Sequence, residues 1–158
     1  GGVGTGNGSD RVLSLKDLYL GYKQLAKQPD EIITAIRFPK PAAGFKFNFE
    51  KVCKRTYLDI ATVNTAISLA VDDRDGAGNT TLQSVHVSAG GVGPIPMYLR
   101  ETAAFLTGKD LNEETISTAN EIMQSEISPI SDVRGTADYK RLLLRQLFRA
   151  HFVEMFGI

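Results

Sequence analysis

Strand-like runs fill much of residues 31–89, with a clear polar–apolar period of two over residues 45–52, and the period lengthens to that of a helix from about residue 98 onward. Residues 31–38 (EIITAIRF) are β-branched and apolar and stop at Pro39 and Pro41, which marks a strand. Phe45, Phe47, Phe49 and Lys51 alternate with Lys46, Asn48, Glu50 and Val52, giving a second strand with an aromatic face and a mostly polar face. Residues 62–71 (TVNTAISLAV) make a third strand, although the run also fits a short helix. Residues 72–79 (DDRDGAGN) are a turn, and residues 80–89 form a strand whose apolar positions are Leu82, Val85 and Val87. The turn between these last two strands predicts an antiparallel hairpin.

Helical signals follow. Residues 98–106 read as a short helix closed by Gly108. Asn112 caps a helix reaching about Glu126, with Ile116, Ala119, Ile122 and Met123 on one face. A last helix runs from about Thr136 to Phe156, with an expected inward stripe of Tyr139, Leu142, Leu143, Gln146, Leu147, Ala150 and Val153. Nearer the start, Ser14 caps an expected short helix over residues 15–20, ended by Gly21, and Gln28-Pro29-Asp30 is a turn. Strands and then helices, segregated along the chain, predict an α+β fold: an antiparallel sheet of three to four strands, with three helices packed on one face.

Composition narrows the function. The chain has 158 residues, 42% of them hydrophobic, enough for a real core. Its 18 Lys+Arg balance 18 Asp+Glu, which argues against a nucleic-acid binder relying on bulk charge. No apolar run approaches the ~20 residues that span a bilayer, so no membrane role is expected and a cytoplasmic location is. One Cys and two His make a metal site of those ligands untenable. Residues 1–9 are glycine-rich but lack the preceding strand and the following Lys-Ser or Lys-Thr of a phosphate loop, and read as a flexible leader.

No catalytic set stands out. His86 and His151 have no sequence partner and are read as structural. Cys53 lies beside Lys51, Lys54 and Arg55, a setting in which a thiol can be reactive, yet a half-buried structural thiol is the ordinary reading. Asp72-Asp73-Arg74-Asp75-Gly76 lacks the closing Glu of a calcium loop and reads as a solvated tip. Gly90-Gly91-Val92-Gly93-Pro94 is a sharp corner between strand and helix, poor in N–H donors for an anion. The densest polar cluster is residues 51–61 (KVCKRTYLDIA), at the end of the aromatic strand. Its cations suit an electron-rich or anionic ligand; the plain alternative is a solvated loop with an Arg–Asp pair.

The run F-x-F-x-K-V-x-K-R-x-x-x-D-I-A-x-V-N-x-A-I over residues 47–67 resembles the C-terminal domain of the flavin-binding subunit of molybdenum hydroxylases, the xanthine dehydrogenase and aerobic carbon monoxide dehydrogenase family. Residues 13–19 with 31–39, the glycine corner at 89–96, and PISDVRGTADYKR at 129–141 are similar to the family's other motifs. The resemblance implies an oxidoreductase subunit that holds FAD. The flavin takes electrons from the iron–sulfur clusters of a partner subunit, which is fed by a molybdenum-cofactor subunit, and passes them to NAD or oxygen. It also implies a division of the chain: a leader over 1–10, the tail of the FAD-binding middle domain over 11–40, and the flavoprotein C-terminal domain over 41–158. Most FAD contacts would lie in upstream domains, so the chain reads as a fragment, inactive alone. By the same resemblance Lys51 reaches the isoalloxazine side of the flavin, Arg55 lies on the loop approaching the ring, and Asp59 fixes that loop. Tyr57 lies near the ring, and Asp132 and Arg134 form a structural pair at the last helix. Leu58 stands where the family often carries a charge, which alters the local field. A reading from a different class is a non-catalytic interaction module of the same fold, without cofactor.

Overall fold

The structure is a computed structural model and describes residues 2–4, 10–72 and 80–158. The chain divides into two units, residues 1–42 and 43–158. The tip at residues 73–79 and most of the glycine-rich leader lie outside the described residues.

In the first unit, β1 (Gly2–Gly4) pairs antiparallel with β2 (Asp10–Val12) and with β5 (Ile32–Ala35). Gly2–Gly4 are therefore paired strand rather than leader. The helix expected over residues 15–20 is not there. A single 3₁₀ turn, Leu15–Asp17, leads into a hairpin of β3 (Tyr19–Gly21) and β4 (Gln24–Leu25), and Ser14 makes no side-chain cap. Six residues are too few to nucleate a helix against a competing strand pairing. Glu31 ties the unit together. It is buried, accepts from Arg11 Nε at 3.0 Å and Arg11 Nη2 at 2.6 Å, and accepts from the Gln28 amide at 2.7 Å. These bonds, the Arg11 bond first, hold its carboxyl below the usual range.

The second unit carries the α+β fold. Its sheet has the order β6 (Phe45–Val52), β7 (Val63–Asp72), β8 (Thr81–Gly90), β9 (Met97–Tyr98), antiparallel throughout. Residues 62–71 are thus strand, not helix. Three helices follow: α1 (Arg100–Leu106), α2 (Glu113–Glu126) and α3 (Ala137–Phe156). Asn112 Oδ1 accepts from the Thr115 amide and Thr136 Oγ1 from the Tyr139 amide, so both longer helices start on side-chain caps. Glu126, ending α2, accepts from the Glu101 and Thr102 amides and so caps α1 from outside.

The helices cover one face of the sheet. Val63, Ile67 and Leu69 of β7 and Leu82, Val85, Val87 and Ala89 of β8 meet Leu106, Ile116, Met123, Leu144, Phe148 and Phe152 in one core. The inward stripe of α3 differs from expectation. Lys140, Leu144, Leu147, Phe148, His151 and Phe152 are buried, whereas Tyr139, Leu142, Gln146 and Val153 face outward. Two polar residues, Lys140 and His151, take inner positions beside Leu144, Leu147, Phe148 and Phe152. Among the described residues no helix is long and apolar enough to cross a membrane.

Candidate functional site

The two faces of β6 are used in the reverse of what their polarity suggests. Its polar residues, Asn48 and Glu50, are half-buried on the helix side, and its aromatic residues, Phe45, Phe47 and Phe49, lie on the open side, 43–60% exposed. Opposite them across the register stand only Ala70, Ser68 and Ala66. Lys51 continues the same face one step beyond Phe49, opposite Asn64. It makes no hydrogen bond or ion pair among the described residues, so its ammonium is available to a ligand.

His151 explains why the polar face of β6 turns inward. The ring is fully buried. Asn48 Nδ2 donates to Glu50 Oε1 at 2.8 Å and stands 3.1 Å from His151 Nδ1. On the other side His151 Nε2 is 3.4 Å from Thr65 Oγ1, whose hydroxyl donates to the Ser88 carbonyl at 2.9 Å. This arrangement fits a neutral ring that accepts at Nδ1 and donates from Nε2. Burial pushes the imidazole pKa down to about 4, only partly opposed by the Glu50 charge. The structural reading of His151 is borne out. His86 lies on the open face, its Nδ1 2.7 Å from the Tyr98 hydroxyl.

Beyond Lys51 the chain leaves the sheet at Val52 and returns at Thr62, whose amide donates to the Val52 carbonyl at 2.7 Å. The loop between is braced from inside. Asp59 Oδ2 accepts from the Arg55 amide at 2.9 Å, and Asp59 Oδ1 lies 3.4 Å from Arg55 Nη2. Arg55 Nη2 also donates to the Leu58 carbonyl at 3.2 Å, and the Cys53 thiol to the Arg55 carbonyl at 2.9 Å. Partial burial pushes the Asp59 carboxyl up, but the bonds from Arg55 and its charge outweigh that and leave it below the usual range. Leu58 adopts the left-handed conformation (φ 52°) and is 97% exposed, a strained backbone presenting an apolar side chain to solvent. Tyr57 and Ile60 are exposed beside it.

Of the residues singled out in the sequence, Arg55 and Asp59 come together as a pair that shapes the loop. Lys51 bonds to neither. Both Asp59 oxygens bond to Arg55 and brace the loop, whereas Arg55 keeps most of its guanidinium exposed. Asp132 does not form its ion pair with Arg134. Its partner is Lys140, at 2.8 Å, and from Arg134 it accepts only the backbone amide. The hydrogen bond from Lys140, then that from the Arg134 amide, hold the Asp132 carboxyl low. Lys54, read in the sequence only as one cation of the 51–61 cluster, makes a contact the sequence did not suggest. Its Nζ donates to the Val133 carbonyl at 2.9 Å, joining two loops 79 residues apart. No local pattern encodes that contact. The glycine corner is structural: Gly91 has φ 81°, and a Cβ there would stand 2.2 Å from the Thr62 carbonyl oxygen. Only glycine lets the corner pass the mouth of the loop.

The sequence profile of the CO dehydrogenase flavoprotein C-terminal domain matches residues 49–155. The carbon monoxide dehydrogenase medium chain of Afipia carboxidovorans is 29% identical over 145 residues, covering 92% of this chain and 48% of the relative. Xanthine dehydrogenase of Blastobotrys adeninivorans is 31% identical over 151 residues, covering 90% of this chain and 10% of the relative. A crystal structure of cyanide-inactivated Cu,Mo-CO dehydrogenase superposes with a TM-score of 0.82 at 28% identity, over 94% of this chain and 49% of that one. The chain thus spans about half the length of a medium chain and a tenth of a xanthine dehydrogenase. With both the profile and the superposed fold running through the sheet, the 53–61 loop and the three helices, the chain belongs to the CO dehydrogenase flavoprotein C-terminal domain family.

Proposed function

We propose that this domain closes one side of the FAD site in a molybdenum hydroxylase subunit and that Lys51 tunes the flavin. The observation that carries the reading is a lysine without an ion-pair partner, at the end of an uncovered aromatic strand face, beside a loop braced by its own Arg–Asp pair. The residues present fit a flavin. A planar, partly apolar ring suits the open Phe face, and a reduced ring that carries negative charge suits an unspent ammonium. FAD, when bound, would accept electrons from the iron–sulfur clusters of a partner subunit and pass them to NAD or oxygen, in the cytoplasm, while the substrate chemistry takes place at a molybdenum-cofactor subunit.

Within that assembly this chain's residues have separable tasks. Lys51 holds positive charge at the edge of the open face. Asp59 fixes the Arg55 backbone, so the guanidinium approaches the ligand from a set direction. Residues 11–40 act as the tail of the FAD-binding middle domain, which supplies most of the contacts to the cofactor.

The test is Lys51→Met in the complete flavin-containing subunit. The flavin potential should fall by about 30 mV, the two-electron equivalent of about 1.4 kcal/mol for one lost charge interaction. Unchanged potential and FAD affinity would instead support a cofactor-free interaction module of the same fold. The 158-residue chain alone should bind FAD weakly, and tight stoichiometric binding would overturn the division of labour.

A further inference from the structure

We infer that Lys140, in the last helix, is a positioning residue for the 53–61 loop, acting through the turn at residues 132–135 and through Lys54. Lys140 is 3% exposed. Burying an ammonium is costly unless acceptors surround it, and here there are two: Asp132 Oδ2 at 2.8 Å and the Ile130 carbonyl at 2.9 Å. Asp132 in turn shapes the turn. Its Oδ1 accepts from the Arg134 amide at 2.9 Å, and its backbone exchanges two hydrogen bonds with Gly135, at 3.0 and 3.1 Å. A turn held at both ends has a set direction for the carbonyl between them. That carbonyl belongs to Val133, and it accepts from Lys54 Nζ.

Lys54 is next to Arg55, whose amide and guanidinium engage Asp59. The chain of contacts therefore runs from a buried charge in α3 to the residue that sets the loop's shape. The turn also stands against the loop's exit: a Cβ at Gly135 would lie 3.7 Å from the Thr62 methyl. A buried ion pair is weak evidence for stability but good evidence for a unique local geometry. Here the geometry it specifies is that of the turn, and the turn passes it to the loop. The link is mechanical, and its bearing on the flavin rests on the reading proposed above.

The experiment is amide hydrogen exchange on the 158-residue chain, comparing wild type with Lys140→Met, Lys54→Met and the double variant. Exchange at the Arg55 amide should speed up about tenfold in each single variant, with no further gain in the double, because both cut one path. The Ile67 amide in the core strand should keep its rate, which separates positioning from general destabilisation. Lys140→Arg should restore slow exchange at Arg55. Faster exchange at Asp132 and Gly135 in Lys140→Met, with Arg55 at the wild-type rate, would overturn the inference. Should Lys140→Met fail to fold, Asp132→Asn, at a half-exposed position, makes the same comparison. In the complete flavoprotein, Lys140→Met and Lys54→Met should shift the flavin absorption spectrum alike. Coupled exchange with an unmoved spectrum would uphold the mechanical link and overturn the flavin reading instead.

Discussion

The two faces of the four-stranded sheet are built on opposite plans. On the covered face of β7 and β8, Val63, Ile67, Leu69, Leu82 and Val87 are all but inaccessible and lie against three helices. On the open face, three phenylalanines of β6 stand opposite two alanines and one serine and remain about half exposed. Free energy of folding comes from the first. The second exposes aromatic surface that folding leaves uncovered, which is how binding surfaces differ from cores. The difference separates residues that hold the domain together from residues free to serve a ligand, and that separation can be measured.

The largest effect should come from comparing one residue type across the two faces. Phe148 is fully buried and packs edge-on against Phe152, with ring centroids 5.3 Å apart. Phe148→Ala should cost about 3–5 kcal/mol of unfolding free energy, by loss of burial and creation of a cavity. Phe47→Ala, at a side chain 60% exposed, should change it by no more than about 0.5 kcal/mol. Urea denaturation of both variants measures this directly. A loss above about 2 kcal/mol for Phe47→Ala would break the comparison, because the open face would then be part of the fold.

The covered face has a polar exception, and it should respond to acid. The His151 pKa is pushed down to about 4 in the fold, against 6.5 for the free side chain. The unfolded chain therefore binds the proton first. Stability is full above pH 6.5 and falls as the pH drops toward 4, by about 2–3 kcal/mol between pH 7.5 and 4.5. Asp59 and Asp132, held below their usual range, add losses in the same direction at lower pH. His151→Gln should flatten the slope between pH 7 and 5, as denaturation midpoints across that window would show. An equal slope in the variant would remove His151 as its source.

These two regions were not equally legible in the sequence. The hairpin, the cap at Asn112 and the two ends of α3 were, because each is set by local chemistry: strand alternation, a side-chain acceptor at a helix start, or the change of pattern at a helix boundary. The inward stripe of α3 was misassigned by a fraction of a turn. Lys140 and His151 occupy inner positions, and a hydrophobicity pattern places polar residues outside. What turns them inward is Asn48, Asp132 and Thr65, residues from 8 to 103 positions away. The helix expected over 15–20 failed because a strand partner at Gln24–Leu25 won over local propensity. In the loop, Arg55–Asp59 was readable as a neighbouring pair, whereas Lys54 to Val133 was not. The resemblance to the flavoprotein family supplied what physics alone did not, namely which exposed cation to single out.

A closer contrast lies within β7, where Thr65 faces the helices and Ser68 the open side. Thr65→Val keeps the shape but leaves the His151 Nε2–H without its acceptor. The expected cost is about 1–3 kcal/mol, the penalty for an unsatisfied buried donor. Ser68→Val adds a β-branched side chain beside Phe47 and should be neutral or slightly stabilising, within about 0.5 kcal/mol. Equal costs at the two positions would mean that the faces differ in appearance only.

The smallest effect is expected where the function is proposed. Lys51 is exposed, makes no ion pair among the described residues and sits at the end of an edge strand. Lys51→Met in this chain should therefore move the denaturation midpoint by less than the equivalent of about 0.5 kcal/mol. Arg55→Met should cost little more, since its pairing with Asp59 is long at 3.4 Å and open to solvent. A residue that holds the fold together cannot be neutral in the isolated chain and also shift the flavin potential in the complete subunit; a residue reserved for the ligand can. A large stability loss for Lys51→Met would place Lys51 with Phe148 among the residues that hold the domain together, and the open face would lose its claim to a charge set aside for the flavin.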